Sequence, residues 1–112
     1  MADEFDEVVE EVLASLEPEA RQALDNIEIM IDPERPDYMP PGALAVFNGI
    51  PITFPHRLRL PVPNQIVLFE GPIRRYAAHG FDVRVVIQEA ILHELGHYFG
   101  LTHAEMGDKV QA

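Results

Sequence analysis

The segment HELGHYFGLTH at residues 93–103 has the pattern H-E-x-x-H-x-x-G-x-x-H, and the rest of the fold has to be built around it. Side chains four residues apart lie on one face of an α-helix, so His93 and His97 can present two imidazoles to one metal ion. Glu94 is rotated from His93 by roughly 100°, where its carboxylate can reach a metal-bound water without binding the metal. Gly100 can adopt a positive φ and end the helix, which allows the chain to turn back.

A third ligand completes the predicted site. A catalytic zinc ion takes three protein ligands and one water, whereas a structural zinc ion normally takes four protein ligands. The spacing favours His103 as the third ligand, and Glu105 and Asp108 are carboxylate alternatives. The upstream His56 and His79 stand in predicted loop positions, and we interpret them as surface histidines.

The composition predicts a single cytoplasmic domain. At 112 residues, with 47% apolar residues, the chain is long enough for one hydrophobic core, and residues 1–112 are predicted to form one domain. The absence of cysteine excludes disulfides and thiolate zinc ligands. The first residues are acidic and lack the basic start and apolar run of a secretion signal. No apolar stretch approaches the roughly 20 residues of a membrane span, so no membrane partner is expected.

The charge of the chain disfavours nucleic acid as a partner. A formal net charge of −11 repels phosphate backbones and anionic lipid headgroups. Four arginines, Arg57, Arg59, Arg74 and Arg75, could form a local basic patch. We interpret them as solvated side chains that flank strands and helices.

Apolar periodicity predicts helices at both ends of the chain and short strands between them. The first helix is amphipathic and acidic. Alternation of Ile27, Ile29 and Ile31 predicts a half-buried strand, and the turn Asn48-Gly49 predicts a hairpin. The predicted order is helix 3–16, helix 18–24, strand 26–31, proline-rich loop 32–42, strand 43–47, strand 50–54, strand 65–69, helix 71–78 and helix 83–99.

The helix that carries the motif is predicted at residues 83–99, with Asp82 as its N-cap. It is apolar around most of its circumference, which predicts that it forms the buried centre of the domain. Buried histidine and glutamate side chains need polar partners, and a metal ion supplies one. The order of the elements favours a small α+β architecture built in layers.

The whole length of the chain resembles the zincin-like metallopeptidase family of small, single-domain bacterial proteins. The resemblance rests on the acidic N-terminal helix, ALAVFNGIPIT at residues 43–53, NQIVLF at residues 64–69 and ILHELGHYFG at residues 91–100. It implies a minimal zincin-like domain, in which a small mixed sheet packs on the buried HExxH helix beside an N-terminal amphipathic helix. It also implies that His93 and His97 are zinc ligands and that Glu94 is the base.

Two features depart from the patterns of known families. In the family that the chain resembles, the position of His103 is more often Asp, and a histidine there is closer to the metzincin pattern. Metzincins also place a methionine turn beneath the metal after the third ligand, and Met106 is the only candidate for it. We interpret Met106 as a packing or tail residue.

These residues together predict a zinc-dependent peptidase, a hydrolase that acts on a peptide or protein substrate. Zn²⁺ held by His93, His97 and His103 lowers the pKa of its water. Glu94 accepts a proton as that water attacks the scissile carbonyl, and then passes the proton to the leaving amine. Zinc polarises the carbonyl and stabilises the developing oxyanion.

Two further expectations concern the substrate. The strand at residues 65–69 is expected to offer an edge to an extended peptide. Tyr38, Arg74 and Tyr76 are candidates for a second oxyanion donor, and nothing in their spacing selects one of them.

Two other functions stay open at this point. Bacterial rRNA-maturation proteins, which are metal-dependent ribonucleases, resemble this spacing with H-x-x-x-H-x-x-G-x-x-H but lack the acid that Glu94 supplies here. Alternatively, the protein is a non-catalytic module in which zinc only holds a small fold together. The sequence defines neither the substrate nor the oligomeric state.

Overall fold

The computed structural model describes residues 4–49 and 64–100, and within these ranges the chain forms four helices and three strands. The elements are α1 (Glu4–Ser15), α2 (Pro18–Leu24), β1 (Ile27–Asp32), β2 (Ala45–Asn48), β3 (Asn64–Phe69), α3 (Glu70–Ala77) and α4 (Val83–Tyr98). Each element lies within two residues of its predicted position. The predicted strand 50–54 falls outside the described residues.

The three strands form one mixed sheet in the order β1-β3-β2. β1 runs parallel to β3, with Ile29 opposite Ile66, and β2 runs antiparallel to β3, with Phe47 opposite Ile66. In the described part of the chain β3 therefore has a neighbour on both sides. The expectation that residues 65–69 offer an edge to a peptide is wrong, because that strand is the centre of the sheet.

The two faces of the sheet pack against different parts of the chain. Successive side chains of a strand point to opposite faces, and Ile66 and Leu68 of β3 point towards the helices. Val67 and Phe69 point to the other face, where Met39 from the proline-rich loop packs against them. The sheet therefore separates Met39 from the core that the helices cover.

The helical layer is centred on α4, which packs against α1 on one side and against the sheet on the other. Burial of each large apolar side chain contributes about 1.5–3 kcal/mol, so this layer supplies much of the stability of the fold. The buried core contains Phe5, Val9, Val12, Leu16, Ile27, Leu44, Ala45, Ile66, Leu68, Ile73, Val86, Ile87, Ala90, Ile91, Leu95 and Tyr98.

α4 begins and ends as its sequence predicts, but it is not buried on every side. Its N-cap Asp82 accepts a hydrogen bond from the backbone N–H of Arg84 at 2.8 Å. Val85, Leu92 and Phe99 stay exposed, at 48%, 40% and 40% of their surface. These three residues recur at intervals of seven and form one exposed stripe, so α4 lies at the centre of the domain but is not covered along that stripe.

A second set of contacts ties the proline-rich loop to α3. The backbone N–H of Gly71 donates to the carbonyl oxygen of Pro33 at 2.9 Å. The guanidinium of Arg75 donates to both carboxylate oxygens of Glu34, each at 2.8 Å. The loop is therefore held in place although it contains no regular element. Among the helices of the described ranges, none is both long and apolar enough to cross a membrane.

Candidate metal centre

The middle of α4 brings three potential metal ligands together. His93, Glu94 and His97 each offer one ligand atom, and these atoms all lie within 4.8 Å of one another. The two imidazole rings have their centroids 5.0 Å apart and are nearly perpendicular, with an interplanar angle of 81°. The spacing of four residues on one helix therefore produces the predicted pairing of the histidines.

The centre is buried on the side of His93 and Glu94 and more open at His97. His93 is 6% exposed and Glu94 is 2% exposed, and they are the buried polar or charged residues of the described chain. His97 is half-buried. Burying such groups costs free energy unless they bind a partner, so this burial needs an explanation.

The two carboxylate oxygens of Glu94 have different surroundings. Oε2 is buried, has no hydrogen-bond partner among the described residues and lies 3.9 Å from Nε2 of His93. The backbone of Phe47 hydrogen-bonds the carboxylate. Burial raises the pKa of Glu94 from 4.5 to about 8, and the bond from Phe47 opposes that rise. Without a nearby cation, Glu94 is therefore mostly protonated at neutral pH.

These residues fit a divalent zinc ion. Two imidazole nitrogens and a nearby carboxylate are donors that zinc prefers. A cation beside Glu94 would favour its anionic form and would offset the burial of the carboxylate. His93 and His97 are the residues that would hold the ion, and Glu94 is the acid beside it.

The remaining predicted ligands lie outside the described residues. His103, its alternatives Glu105 and Asp108, and Met106 all follow the last described residue. Gly100 has a φ of 78°, so the helix ends there in the left-handed conformation that the sequence predicts.

The two upstream histidines are not brought to the centre within the described ranges. His79 is exposed at the end of α3, where its Nδ1 donates to the carbonyl oxygen of Arg75 at 3.0 Å, which agrees with its interpretation as a surface residue. His56 lies outside the described residues.

The contacts that the three oxyanion candidates make in the described part of the chain do not involve the candidate centre. Tyr38 is 86% exposed in the loop that packs on the far face of the sheet. Arg74 pairs with Glu70 at 2.8 Å. Tyr76 stacks on Phe81 with ring centroids 5.0 Å apart. Phe81 precedes the start of α4, which lies roughly 15 Å along the helix axis from His93.

Phe47 is the site residue that the sequence did not identify. Its contribution is a backbone group, which every residue type except proline carries, so no side-chain pattern could reveal it. Its ring also contacts Tyr98, with centroids 5.7 Å apart, which holds β2 against α4 one helical turn beyond Glu94.

Comparison with known proteins assigns a family and a fold. The sequence model of the zincin-like metallopeptidase family matches residues 24–111. The chain is also similar to a solved structure, a conserved hypothetical protein from Thermus thermophilus, with a TM-score of 0.58. That pair is 23% identical over 86% of this chain and 91% of the other, so the likeness concerns the fold alone. No curated protein matches the sequence.

Proposed function

This chain belongs to the zincin-like metallopeptidase family, and we propose that it hydrolyses peptide bonds with the help of a zinc ion bound at the centre on α4. In this proposal His93, His97 and His103 hold the metal, and Glu94 is the general base. The substrate is a peptide or a protein. Residues 1–112 act as one domain.

Each residue has a defined task in the proposed reaction. Bound zinc would lower the pKa of a water molecule and polarise the scissile carbonyl. Glu94 accepts a proton from the attacking water through Oε2, which lies 3.9 Å from Nε2 of His93. The same carboxyl group then donates that proton to the leaving amine. Burial of Glu94 keeps bulk water away from this proton transfer.

The observation that carries the proposal is the state of Glu94. It is a buried carboxyl group with one oxygen that has no hydrogen-bond partner in the described chain and that faces a histidine nitrogen. A module that used zinc only to stabilise its fold would gain nothing from burying such a group. A general base needs this arrangement, because its oxygen must stay available for a proton.

The ribonuclease alternative is disfavoured by charge. Three arginines of the described helices pair with acids: Arg74 with Glu70, Arg75 with Glu34 and Arg84 with Glu11. These pairs neutralise three of the eight basic residues, and the chain as a whole carries −11, which repels a phosphate backbone.

The test compares zinc-loaded wild type with Glu94→Gln on a library of peptides, with cleavage followed by mass spectrometry. We expect the wild type to cleave peptides and to stop when zinc is removed by a chelator. Glu94→Gln should keep its zinc content and lose activity by about 10²–10⁴-fold, because the amide cannot accept the proton.

Glu89→Gln is the matched control, since it makes the same chemical change on the same helix, outside the ligand group. It should keep wild-type activity. Cleavage that survives in Glu94→Gln would remove the base from the mechanism. A zinc-loaded wild type that cleaves nothing, and that unfolds on chelation, would show a structural module instead.

A further inference from the structure

The backbone amide of Phe47 points away from the sheet. The N–H of Phe69 donates to the carbonyl oxygen of Leu44 at 2.9 Å, which makes Leu44 and Phe69 a hydrogen-bonded pair of the antiparallel ladder. Hydrogen-bonded and non-hydrogen-bonded pairs alternate along an antiparallel ladder. The register therefore places Val46 in the next hydrogen-bonded pair and Phe47 in a non-hydrogen-bonded pair. The amide of Phe47 therefore faces the outer side of β2, where it is available to a group beyond the sheet.

The group that receives this amide is the carboxylate of Glu94. Carboxylate oxygens accept hydrogen bonds, and the backbone of Phe47 hydrogen-bonds this carboxylate, so the donor is the N–H of Phe47. Oε2 of Glu94 accepts no hydrogen bond from the described residues, which leaves Oε1 as the acceptor. One oxygen is thus held by the strand, and the other lies 3.9 Å from Nε2 of His93.

We propose that the backbone N–H of Phe47 is a positioning group for the general base: it holds Oε1 of Glu94 so that Oε2 faces Nε2 of His93. This inference rests on the proposed function. A glutamate side chain has three rotatable bonds, and one hydrogen bond to a rigid strand removes most of that freedom. Misplacement of a catalytic group by about 1 Å can reduce the rate on the order of 100-fold, so the effect is large enough to measure.

The direct test replaces the amide of Phe47 with an ester, by chemical synthesis of the chain with phenyllactic acid at position 47. This change deletes the N–H and keeps the ring that contacts Tyr98. With zinc-loaded protein, we expect kcat for a peptide substrate to fall about 10–100-fold. KM and zinc affinity should stay within about twofold of wild type, since Phe47 contributes no metal ligand.

An ester at Ala45 is the matched control. Ala45 and Leu68 form a non-hydrogen-bonded pair, as Phe47 and Ile66 do. The amide of Ala45 therefore also faces the outer side of β2. An ester at Ala45 weakens the carbonyl of Leu44 as an acceptor, just as an ester at Phe47 weakens the carbonyl of Val46. If the strand merely tolerates esters poorly, both variants lose the same activity, and the inference is overturned.

A second measurement needs no catalysis. In metal-free protein, amide hydrogen exchange at Phe47 should be about 10–100-fold faster in Glu94→Ala than in wild type, because the acceptor of its hydrogen bond is gone. Exchange at Val46, whose amide is bound within the ladder, should not change. Unchanged exchange at Phe47 would overturn the inference.

The two proposals fail in different ways. If the wild type cleaves peptides and the ester at Phe47 keeps its kcat, the positioning role is wrong while the proposed function stands. If the zinc-loaded wild type cleaves nothing, the proposed function is wrong, and a role in positioning its base falls with it.

Discussion

At the scale of single residues, Glu94 has the least ordinary environment in the described chain. It is 2% exposed and receives one backbone hydrogen bond, and its pKa is raised to about 8, mainly by burial. A buried carboxyl group prefers to be neutral unless a cation lies nearby. Metal-free protein and zinc-loaded protein should therefore respond differently to pH.

We predict that metal-free protein loses stability as pH rises from about 5 to about 8. The folded pKa of Glu94, about 8, lies above its ordinary value of 4.5, so the folded state binds the proton more tightly in this window. The contribution is fully present below the unfolded pKa and is lost as pH rises through the folded pKa. It should be on the order of a few kcal/mol.

Urea denaturation in the presence of a chelator, at pH 5 and pH 8.5, measures this contribution. Glu94→Gln is the control, because it removes the ionisable group at position 94 and keeps both histidines. The wild type should lose more unfolding free energy between the two pH values than Glu94→Gln does. Equal losses in the two proteins would show that Glu94 is not held neutral in the folded state.

Residue spacing alone was enough to predict part of the centre. His93, Glu94 and His97 lie on one helix, where the geometry depends only on local backbone structure. The role of Phe47 could not be predicted, because it depends on a contact between β2 and α4 and on a backbone group. Assignment of His103 as third ligand stays a prediction, since that residue lies outside the described ranges.

At the scale of elements, local sequence patterns predicted which face of a strand is buried better than they predicted which strands lie side by side. The alternation of Ile27, Ile29 and Ile31 correctly placed these side chains on one face of β1. The central position of β3 was not predicted, because strand order depends on pairing between distant segments. Likewise, the apolar composition of α4 did not show that the stripe of Val85, Leu92 and Phe99 would stay exposed.

The contact between the proline-rich loop and α3 depends on a glycine. A methyl group at Gly71 would lie 2.8 Å from the carbonyl oxygen of Pro33 and closer still to the carboxylate of Glu34. We predict that Gly71→Ala displaces this part of the loop, breaks the pair between Glu34 and Arg75, and lowers the unfolding free energy by about 1–3 kcal/mol. Urea denaturation measures the loss.

Glu34→Ala in the Gly71→Ala background is the control for this prediction. It removes the side chain that crowds the new methyl group, so it should recover part of the lost stability. Zinc affinity should not change in either variant, because Glu34 and Gly71 meet at the start of α3 and neither belongs to the ligand group on α4. A Gly71→Ala protein as stable as wild type would show that the loop adjusts without cost.

At the scale of the whole molecule, the α+β architecture and the family expected from the motif are both confirmed. The family model covers most of the chain, and the solved structure from Thermus thermophilus shares the fold. The described elements arrange as a loop layer, a sheet and a helical layer, with the candidate centre on the helical side. His93 is buried beside the core, but the core itself consists of sixteen apolar side chains, whose burial stabilises the fold whether or not a metal is bound.

This independence leads to a prediction about metal removal. We expect the chelated protein to stay folded by circular dichroism at 25 °C, because its sixteen-residue buried core is formed without the ligands. Adding zinc should then raise the unfolding free energy, by about 4 kcal/mol when free zinc exceeds its Kd a thousandfold. His93→Ala should lose most of this gain. His79→Ala, which changes an exposed histidine just after α3, should keep this gain. A chelated protein with the spectrum of an unfolded chain would assign zinc a structural role, and a zinc response that survives His93→Ala would place the metal elsewhere.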